Sequence, residues 1–440
     1  MHDAPIGIDF GTTNSSIAYI NGSGELTLAT FPFGDTITHA YRSLLYLEHI
    51  KQSGRAVVKS WTGPEGIERY LQGEHHGRLI QSLKSFLTSR NLKSTDVFGR
   101  LHTLEELIAR ILRDLREKAE RQFATTIRRA VVGRPVNFVG AESEEDNAFA
   151  QERLRHAFHA AGFETVWFEM EPVGAAHHYE SRLDHDELIL IGDFGGGTSD
   201  FSLVHVGPSI RRRGRLPGDL VRNGGVGVAG DSFDAQIIRR LVSPALGAGT
   251  SMRSLHKVLP VPTWVYGRLE RWHHLSFLRS KDVMNMLASV RAQAIEPEKI
   301  AALINLIQHD LGFQLHRAVQ KTKCDLSTHD QARFEFEDGS VHLEARVSRA
   351  EFESWIASEL TAIEDCVDSL LRASGADRQD VDMVFLTGGS SFVPAVRRIF
   401  ESRFGEQRIR TGDEFTSVAR GLALKAHELH IGPASTFEGD

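Results

Sequence analysis

The sequence predicts an α/β protein built from two related halves, and three observations predict it. A short apolar strand that runs into an aspartate, an aromatic ring, glycine and hydroxyl residues occurs twice. Its first copy is Ile6-Gly7-Ile8-Asp9-Phe10-Gly11-Thr12-Thr13-Asn14-Ser15. Its second follows Leu188-Ile189-Leu190-Ile191 as Asp193-Phe194-Gly195-Gly196-Gly197-Thr198-Ser199-Asp200. Strand and helix signals alternate between the copies, which is the pattern of a layered α/β architecture, and self-similarity of this kind argues for duplication. A third glycine turn, Thr387-Gly388-Gly389-Ser390-Ser391, follows a further strand.

Residues 4–34 read as a β-meander with strands at 6–8, 16–20 and 26–29. Asn21-Gly22-Ser23-Gly24 is the hairpin signal between the last two. The turn Gly11-Thr12-Thr13 is then a hairpin tip with exposed N–H groups. Residues 35–103 read as an irregular inserted subdomain, with 79–87 helical. Thr103 opens a Thr-x-x-Glu capping box, and Leu104, Leu107, Ile108, Ile111, Leu112 and Leu115 form one face at helical spacing. A strand at 128–134, a helix at 142–161 ending before Gly162, and a strand at 164–168 come next. Glu171 stands on a loop that leads into a helix to about 182. Beyond the second motif lie a strand at 200–206 and a polar loop, with Arg211-Arg212-Arg213 and Arg215 as a solvated hairpin tip. A glycine-rich turn from Gly224 to Gly230 and a helix at 231–242 follow, and 244–296 reads as irregular. A single long helix at 298–324, a hairpin at 331–347 around Asp338-Gly339, a helix at 349–373 and a strand at 381–387 complete the second half. Pro394 starts the next helix, 393–404, as helix starts prefer. A last helix at 415–430 precedes a frayed tail.

Composition excludes several classes. With 41% hydrophobic and 25% charged residues, this is an ordinary soluble globular chain. A net charge of −7 over 440 residues offers no general attraction to nucleic acid or to anionic membrane. The N-terminus lacks a basic region followed by an apolar one, and no apolar run approaches a membrane span. Two cysteines, Cys324 and Cys366, cannot make a disulfide framework and read as buried small residues in a reducing compartment, the cytoplasm. The pairs His75-His76, His177-His178 and His273-His274 carry no metal-ligand spacing and read as solvated or capping residues.

Each half offers one phosphate hairpin and one aspartate placed for a metal. Three glycines at 195–197 allow a tight turn with positive φ and close backbone approach. Gly11, Thr12, Thr13 and Asn14 on one side, and Gly195, Gly196 and Gly197 on the other, supply donors for phosphate oxygens, while Asp9 and Asp193 hold one hydrated Mg²⁺. The Thr13 and Thr198 hydroxyls reach terminal oxygens or an attacking water, and Glu171 orients water or a counter-ion. Positioning and charge neutralisation suffice for slow phosphoryl transfer. Gly388-Gly389, at a strand-to-helix turn, leaves room for a flat base or a sugar.

The two Asp-Phe-Gly motifs, with Leu386-Thr387-Gly388-Gly389-Ser390-Ser391-Phe392-Val393-Pro394 and Glu171-Pro172-Val173-Gly174-Ala175-Ala176, resemble the actin-like ATPase superfamily. Within it the chain is most similar to the nucleotide-binding domain of the seventy-kilodalton heat-shock (DnaK-type) chaperones, nearest the short YegD-like members that lack a peptide-binding domain. The resemblance spans nearly the whole chain. It implies a two-lobed fold of duplicated ribonuclease-H-like halves with two inserted subdomains. Lobe I would cover 1–187, with an insertion at about 35–103, and would receive the C-terminal helix at about 412–431. Lobe II would cover 188–411, with an insertion at about 229–343, and 432–440 would be a flexible tail. ATP or ADP with Mg²⁺, and K⁺ as a further cation, are the implied ligands, with protein clients or co-chaperones as partners. Thr198, Glu171 and Asp200 would line the hydrolytic site. Gly388, Gly389 and Ser390 would border adenosine, with Lys323 and Ser327 on the opposite wall and Gly230 in the glycine pair before the second insertion.

The departures from the family pattern are specific. The family's catalytic lysine lies in the first inserted subdomain. The register puts Ile67 or Glu68 at that position, and Lys84 is either its replacement or a surface helix residue. The arginine that stacks on adenine falls at Phe392, which is either a stacking platform or a core residue. The adenosine-contacting glutamate falls at Gln320, and the usual Gly-Gly is Ala229-Gly230. About fifty residues follow the last motif, against the roughly 100 of a sandwich domain. Three functions compete. The first is a slow ATP-hydrolysing, heat-shock-type protein. The second is a small-molecule kinase of the same superfold, for which turnover would depend on an added sugar. The third is a non-catalytic nucleotide-gated scaffold, which would assemble without turnover.

Overall fold

The computed structural model describes residues 5–34, 36–52, 55–72, 77–180, 183–214, 216–254, 257–271, 278–338, 341–411 and 417–431. The expectations for His75, His76, Arg215, His273, His274, Gly339 and the tail from 432 lie outside these residues. Two sheets carry the architecture. In the first, Ile6–Phe10 pairs antiparallel with Asn14–Ile20, which pairs with Leu26–Leu28, while on its other side Ile6–Phe10 runs parallel to Arg129–Arg134 and then Thr165–Met170. In the second, Glu187–Phe194 pairs antiparallel with Ser199–Val206 and onward with Leu220–Val226, and parallel with Met383–Thr387 and then Ile409–Thr411. With Tyr41–Arg42, a short sixth strand that pairs with the start of Asn14–Ile20, set aside, the five strands of each sheet numbered by chain order read 3-2-1-4-5, so the duplication seen in the motifs extends to the strand order.

The chain forms two compact units. One contains Met1–Gly227, Ile363–Ser391 and Ile399–Asp440, and holds both sheets; the other contains Val228–Ala362 and Phe392–Arg398. In the first unit, the helices Glu171–Glu180 and Ser417–Ile431 share one apolar cluster with both sheets. Ala175, Ala176, Val418, Leu422 and Ala426 pack with Val131 of the first sheet and with Ile189, Ile191, Val204, Val206 and Phe385 of the second. Gly7 makes this possible: a Cβ there would stand 2.2 Å from the Ala423 nitrogen and 2.5 Å from the Ala419 carbonyl oxygen. The opposite face of the first sheet is covered by Leu104–Phe123, whose Thr103 capping box forms as expected, and by Glu144–Ala160.

The meander, the hairpin at 331–347 and the helices around 104–123, 142–161 and 415–430 match the sequence expectations to within a few residues. Elsewhere the structure corrects them. The described residues within 44–81 are not irregular: Arg55–Thr62, Leu44–Gln52 and Gly77–Gln81 form an antiparallel sheet, with the helix Gly63–Gln72 packed on it. The expected helix at 79–87 is a strand end followed by one 3₁₀ turn, Leu83–Phe86. The arginine loop is a helix, Pro208–Arg213, with Arg213 paired to Asp219. Gly224 and Gly225 lie inside the strand Leu220–Val226 rather than in a turn. Within 244–296 a hairpin (Ser251–Ser254 with Lys257–Pro260) and the helices Trp264–Leu269 and Lys281–Gln293 form.

The single helix expected at 298–324 is two, Pro297–Gln308 and Gly312–Thr328. Asp310 takes a left-handed conformation (φ 55°), and the Leu311 N–H donates to the Leu306 carbonyl, which closes the first helix in the manner usual for glycine. The helix at 349–373 is likewise split into Arg349–Trp355 and Ala357–Ser374. Cys324 is exposed and Cys366 only partly buried, against the expectation for both; burial still holds both thiols up, Cys366 to about 11. His177 is buried rather than solvated. Among the described residues no helix is long and apolar enough to cross a membrane.

Candidate functional site

Both aspartates stand one residue before the end of the first strand of their sheet, and the antiparallel ladder sets each opposite a polar residue. Asp9 faces Ser16, and Asp193 faces Asp200. Each hairpin tip is shaped by its glycine. A Cβ on Gly11 would meet the Asn14 carbonyl oxygen at 2.2 Å; the Gly195 N–H donates to the Thr198 carbonyl at 2.9 Å. Neither Gly11 nor Gly195, Gly196 or Gly197 adopts a positive φ, so the expected left-handed turn is not what selects glycine here. Close backbone approach is what requires it at Gly11, whereas a Cβ on Gly195 would stand 3.3 Å from the Thr198 carbonyl oxygen and one on Gly197 3.2 Å from the Val139 side chain. Gly388 is the glycine that needs both: its φ is +85°, and a Cβ there would stand 2.1 Å from the Phe194 carbonyl oxygen.

Glu171 is the first residue of its helix, not a loop residue. It meets Lys84, whose Nζ lies 2.6 Å from Glu171 Oε1 with side-chain exposures of 7% and 12%. Lys84 is therefore no surface helix residue: it is buried and reaches Glu171 from the 3₁₀ turn Leu83–Phe86. Ile67, by contrast, is buried in the helix Gly63–Gln72, and Glu68 accepts the Gly34 N–H. A lysine side chain spans several ångströms, and the insertion between strand and site conceals that reach from any sequence register.

Three carboxylates, Glu171, Asp9 and Asp193, thus share one ammonium, and Asp200 is coupled to two of them, Glu171 and Asp193. Burial and then Glu171 hold the Asp9 carboxyl well above the usual range, with Asp193 adding to the effect and Lys84 opposing it. Burial, followed by Glu171, raises Asp193 to about 6; the Thr387 hydroxyl, donating to its Oδ1 at 2.8 Å, and Lys84 oppose the shift. Asp200 is raised by burial, Glu171 and Asp193, and is partly relieved by the Thr198 hydroxyl at 3.0 Å and by the Asn137 backbone. These mutual effects place Asp9, Asp193, Asp200, Glu171 and Lys84 in one electrostatic cluster. Excess buried negative charge on hard oxygen donors fits a divalent cation. Among the described residues no group of three or more His, Cys, Asp or Glu side chains is arranged to hold a metal ion directly.

Thr387 and Asn137 were not singled out from sequence, although Thr387 opens the third motif. Neither was Arg42, which donates to Asn14 Oδ1 at 3.1 Å and so occupies one polar atom of that expected phosphate ligand. Four of the expected residues belong to the second unit. There Lys323 pairs with Asp234 at 2.8 Å and donates to the Gly230 carbonyl at 3.2 Å, while the Ser327 hydroxyl donates to the Lys323 carbonyl at 3.0 Å. Phe392 is 51% exposed and so is not a core residue. In the third motif Ser390 is buried and Gly389 exposed.

The Hsp70 protein family model matches residues 80–246 and 300–435, which include Lys84, Glu171, both Asp193 and Asp200, and the third glycine turn. The chain is 25% identical over 440 residues to the chaperone protein DnaK of Thermus thermophilus, covering 96% of this chain and 60% of that protein. It is 25% identical to the stromal 70 kDa heat shock-related protein of Pisum sativum chloroplasts, covering 96% and 53%. It is 23% identical to the chloroplastic heat shock 70 kDa protein 7 of Arabidopsis thaliana, covering 98% and 53%. The chain spans little more than half the length of these curated relatives. With its repeated 3-2-1-4-5 sheets, its paired aspartate hairpins and a family match over more than half its length, the chain belongs to the Hsp70 family and has the actin-like ATPase fold.

Proposed function

We propose that this chain binds ATP with Mg²⁺ at the two aspartate hairpins and hydrolyses it slowly, as the nucleotide-responsive part of a chaperone-type cycle. The observation that carries the reading is the buried Lys84–Glu171 pair beside Asp9, Asp193 and Asp200. A lysine at this position offsets the charge of a terminal phosphate, which a cluster of carboxylates alone would repel. Backbone N–H groups at Gly11–Thr13 and Gly195–Gly197 cradle phosphate oxygens, each such charged hydrogen bond contributing about 1.5–3 kcal/mol. Asp9 and Asp193 hold the hydrated Mg²⁺, which when bound neutralises charge on the phosphates. Glu171, with Thr198 and Asp200, orients the attacking water, and the Thr198 hydroxyl is already anchored on Asp200.

Gly388, Gly389 and Ser390 keep the adenosine-bordering role that the resemblance implies. The bound nucleotide is read by protein clients or co-chaperones, and the compartment is the cytoplasm. Phosphate release from ATP alone, with and without Mg²⁺, tests the reading. Turnover that requires Mg²⁺ and no second substrate is expected. Turnover that appears only on addition of a sugar would replace the reading with a kinase, and tight binding without turnover would replace it with a scaffold.

A further inference from the structure

Lys84 reaches Glu171 from a single 3₁₀ turn that lies in no sheet and in no longer helix. The preceding Ser82 is left-handed (φ 53°), and one turn of helix is not stable by itself. The stretch from Phe86, the last residue of the turn, to Leu92 pairs with no strand; the Phe86 and Asn91 carbonyls accept the Ser89 and Lys93 N–H groups, and others need side-chain donors. Arg153, on the helix Glu144–Ala160 with its side chain 9% exposed, supplies them. Its Nη1 donates to the carbonyls of Phe86 at 3.4 Å, Leu87 at 3.2 Å and Ser89 at 3.1 Å, and its Nη2 to that of Leu92 at 3.1 Å. Its Nε is held by Glu105 of the helix Leu104–Phe123. The Thr88 hydroxyl donates to the Val139 carbonyl at 2.7 Å, and Arg90, largely exposed, donates to Glu145 and Asp146 at 3.2 and 3.3 Å.

We propose that Arg153 is the positioning residue for Lys84: by gathering the carbonyls that close and follow the 3₁₀ turn, it sets where the Lys84 ammonium stands against Glu171. The inference rests on the reading of Lys84 given under Proposed function. The planar guanidinium is what the job requires. Its donors diverge in a fixed fork, so a single side chain spans four carbonyls and one carboxylate, whereas a lysine ammonium is a compact point donor. Leu83 and Leu87 are buried in the core beneath the turn and anchor it against the helices, but apolar packing does not set its rotation.

Single-turnover ATP hydrolysis and calorimetric ATP affinity, measured on the full chain, test this. The variants are Lys84→Met, Arg153→Gln, Arg153→Lys and the double variant Lys84→Met/Arg153→Gln. Arg153→Gln is expected to lower the hydrolysis rate about tenfold while ATP affinity stays within about twofold, since positioning errors act on the chemical step. Arg153→Lys is expected not to rescue. The double variant is expected to hydrolyse no more slowly than Lys84→Met alone, because the two residues act as one unit. Wild-type rates in both Arg153 variants, or losses that multiply in the double variant, would overturn the proposal while leaving the role of Lys84 intact. A wild-type rate in Lys84→Met would instead overturn the reading of the site, and this inference with it. Should Arg153→Gln fail to fold, Glu105→Gln takes its place, with a rate loss of about threefold expected from a loosened guanidinium and no loss overturning the proposal.

Discussion

The Thr387 hydroxyl donates to Asp193 Oδ1 at 2.8 Å across 194 positions of sequence. The parallel ladder between Glu187–Phe194 and Met383–Thr387 sets these two residues side by side, so the start of the third glycine motif steadies the aspartate of the second. The bond favours the charged form of Asp193. Thr387→Val is expected to weaken Mg²⁺-dependent ATP affinity about tenfold, the equivalent of one hydrogen bond to a charged group, and to leave Mg²⁺-independent affinity unchanged. Calorimetry with and without Mg²⁺ checks it; equal losses in both conditions would count against a metal role for Asp193.

Removal of the ammonium at Lys84 should have two separable effects. Lys84→Met is expected to lower turnover about 100-fold through lost phosphate charge compensation. It should also destabilise the protein by about 3–5 kcal/mol at pH 7.5, since Glu171 is left buried without its cation. Denaturant titration of Lys84→Met and of Lys84→Met/Glu171→Gln distinguishes the terms: most of the stability returns in the double variant, and the turnover does not.

Gly388→Ala tests the close approach of the third motif to the second hairpin. The left-handed φ of +85° and the 2.1 Å approach of a Cβ to the Phe194 carbonyl leave the substitution no room. A loss of ~2–4 kcal/mol is expected, together with weakened nucleotide binding as the Asp193 hairpin is pushed aside. Thermal melting and ATP titration of the same sample measure both.

The pH dependence follows from Asp193, whose carboxyl is raised from 3.8 to about 6 by burial first and by Glu171 next. A raised acid favours folding in its neutral form. Its contribution is fully present below 3.8 and is lost as pH rises through about 6. Metal-free protein is therefore expected to melt at a higher temperature at pH 5.5 than at pH 7.5, apart from other groups. Mg²⁺ with ATP, which favours the charged carboxylates, is expected to stabilise more at pH 7.5 than at pH 5.5. Asp193→Asn should flatten both trends, and unchanged trends in that variant would remove Asp193 from the account.

Much of this protein was determined locally. Ile6–Phe10 and Glu187–Phe194 announce themselves because an apolar run followed by Asp, an aromatic ring and glycine is a strand followed by a tight hairpin, whatever surrounds it. The Thr103 cap and the Leu104–Phe123 stripe are likewise properties of adjacent residues. What the tertiary structure alone decided was whatever depends on a side chain reaching across a fold. Lys84 sits on a turn with no motif, and its ammonium meets Glu171 only in the folded chain, where 82–92 lies against the helices Leu104–Phe123 and Glu144–Ala160. Asp310 ends a helix where glycine would have been expected, and the chain at 44–81 forms a sheet through pairings between segments that are individually unremarkable in sequence. Backbone hydrogen bonding and side-chain spacing are written in neighbours along the chain, whereas the reach of a lysine and the sharing of charge among distant carboxylates are set only once the core has closed.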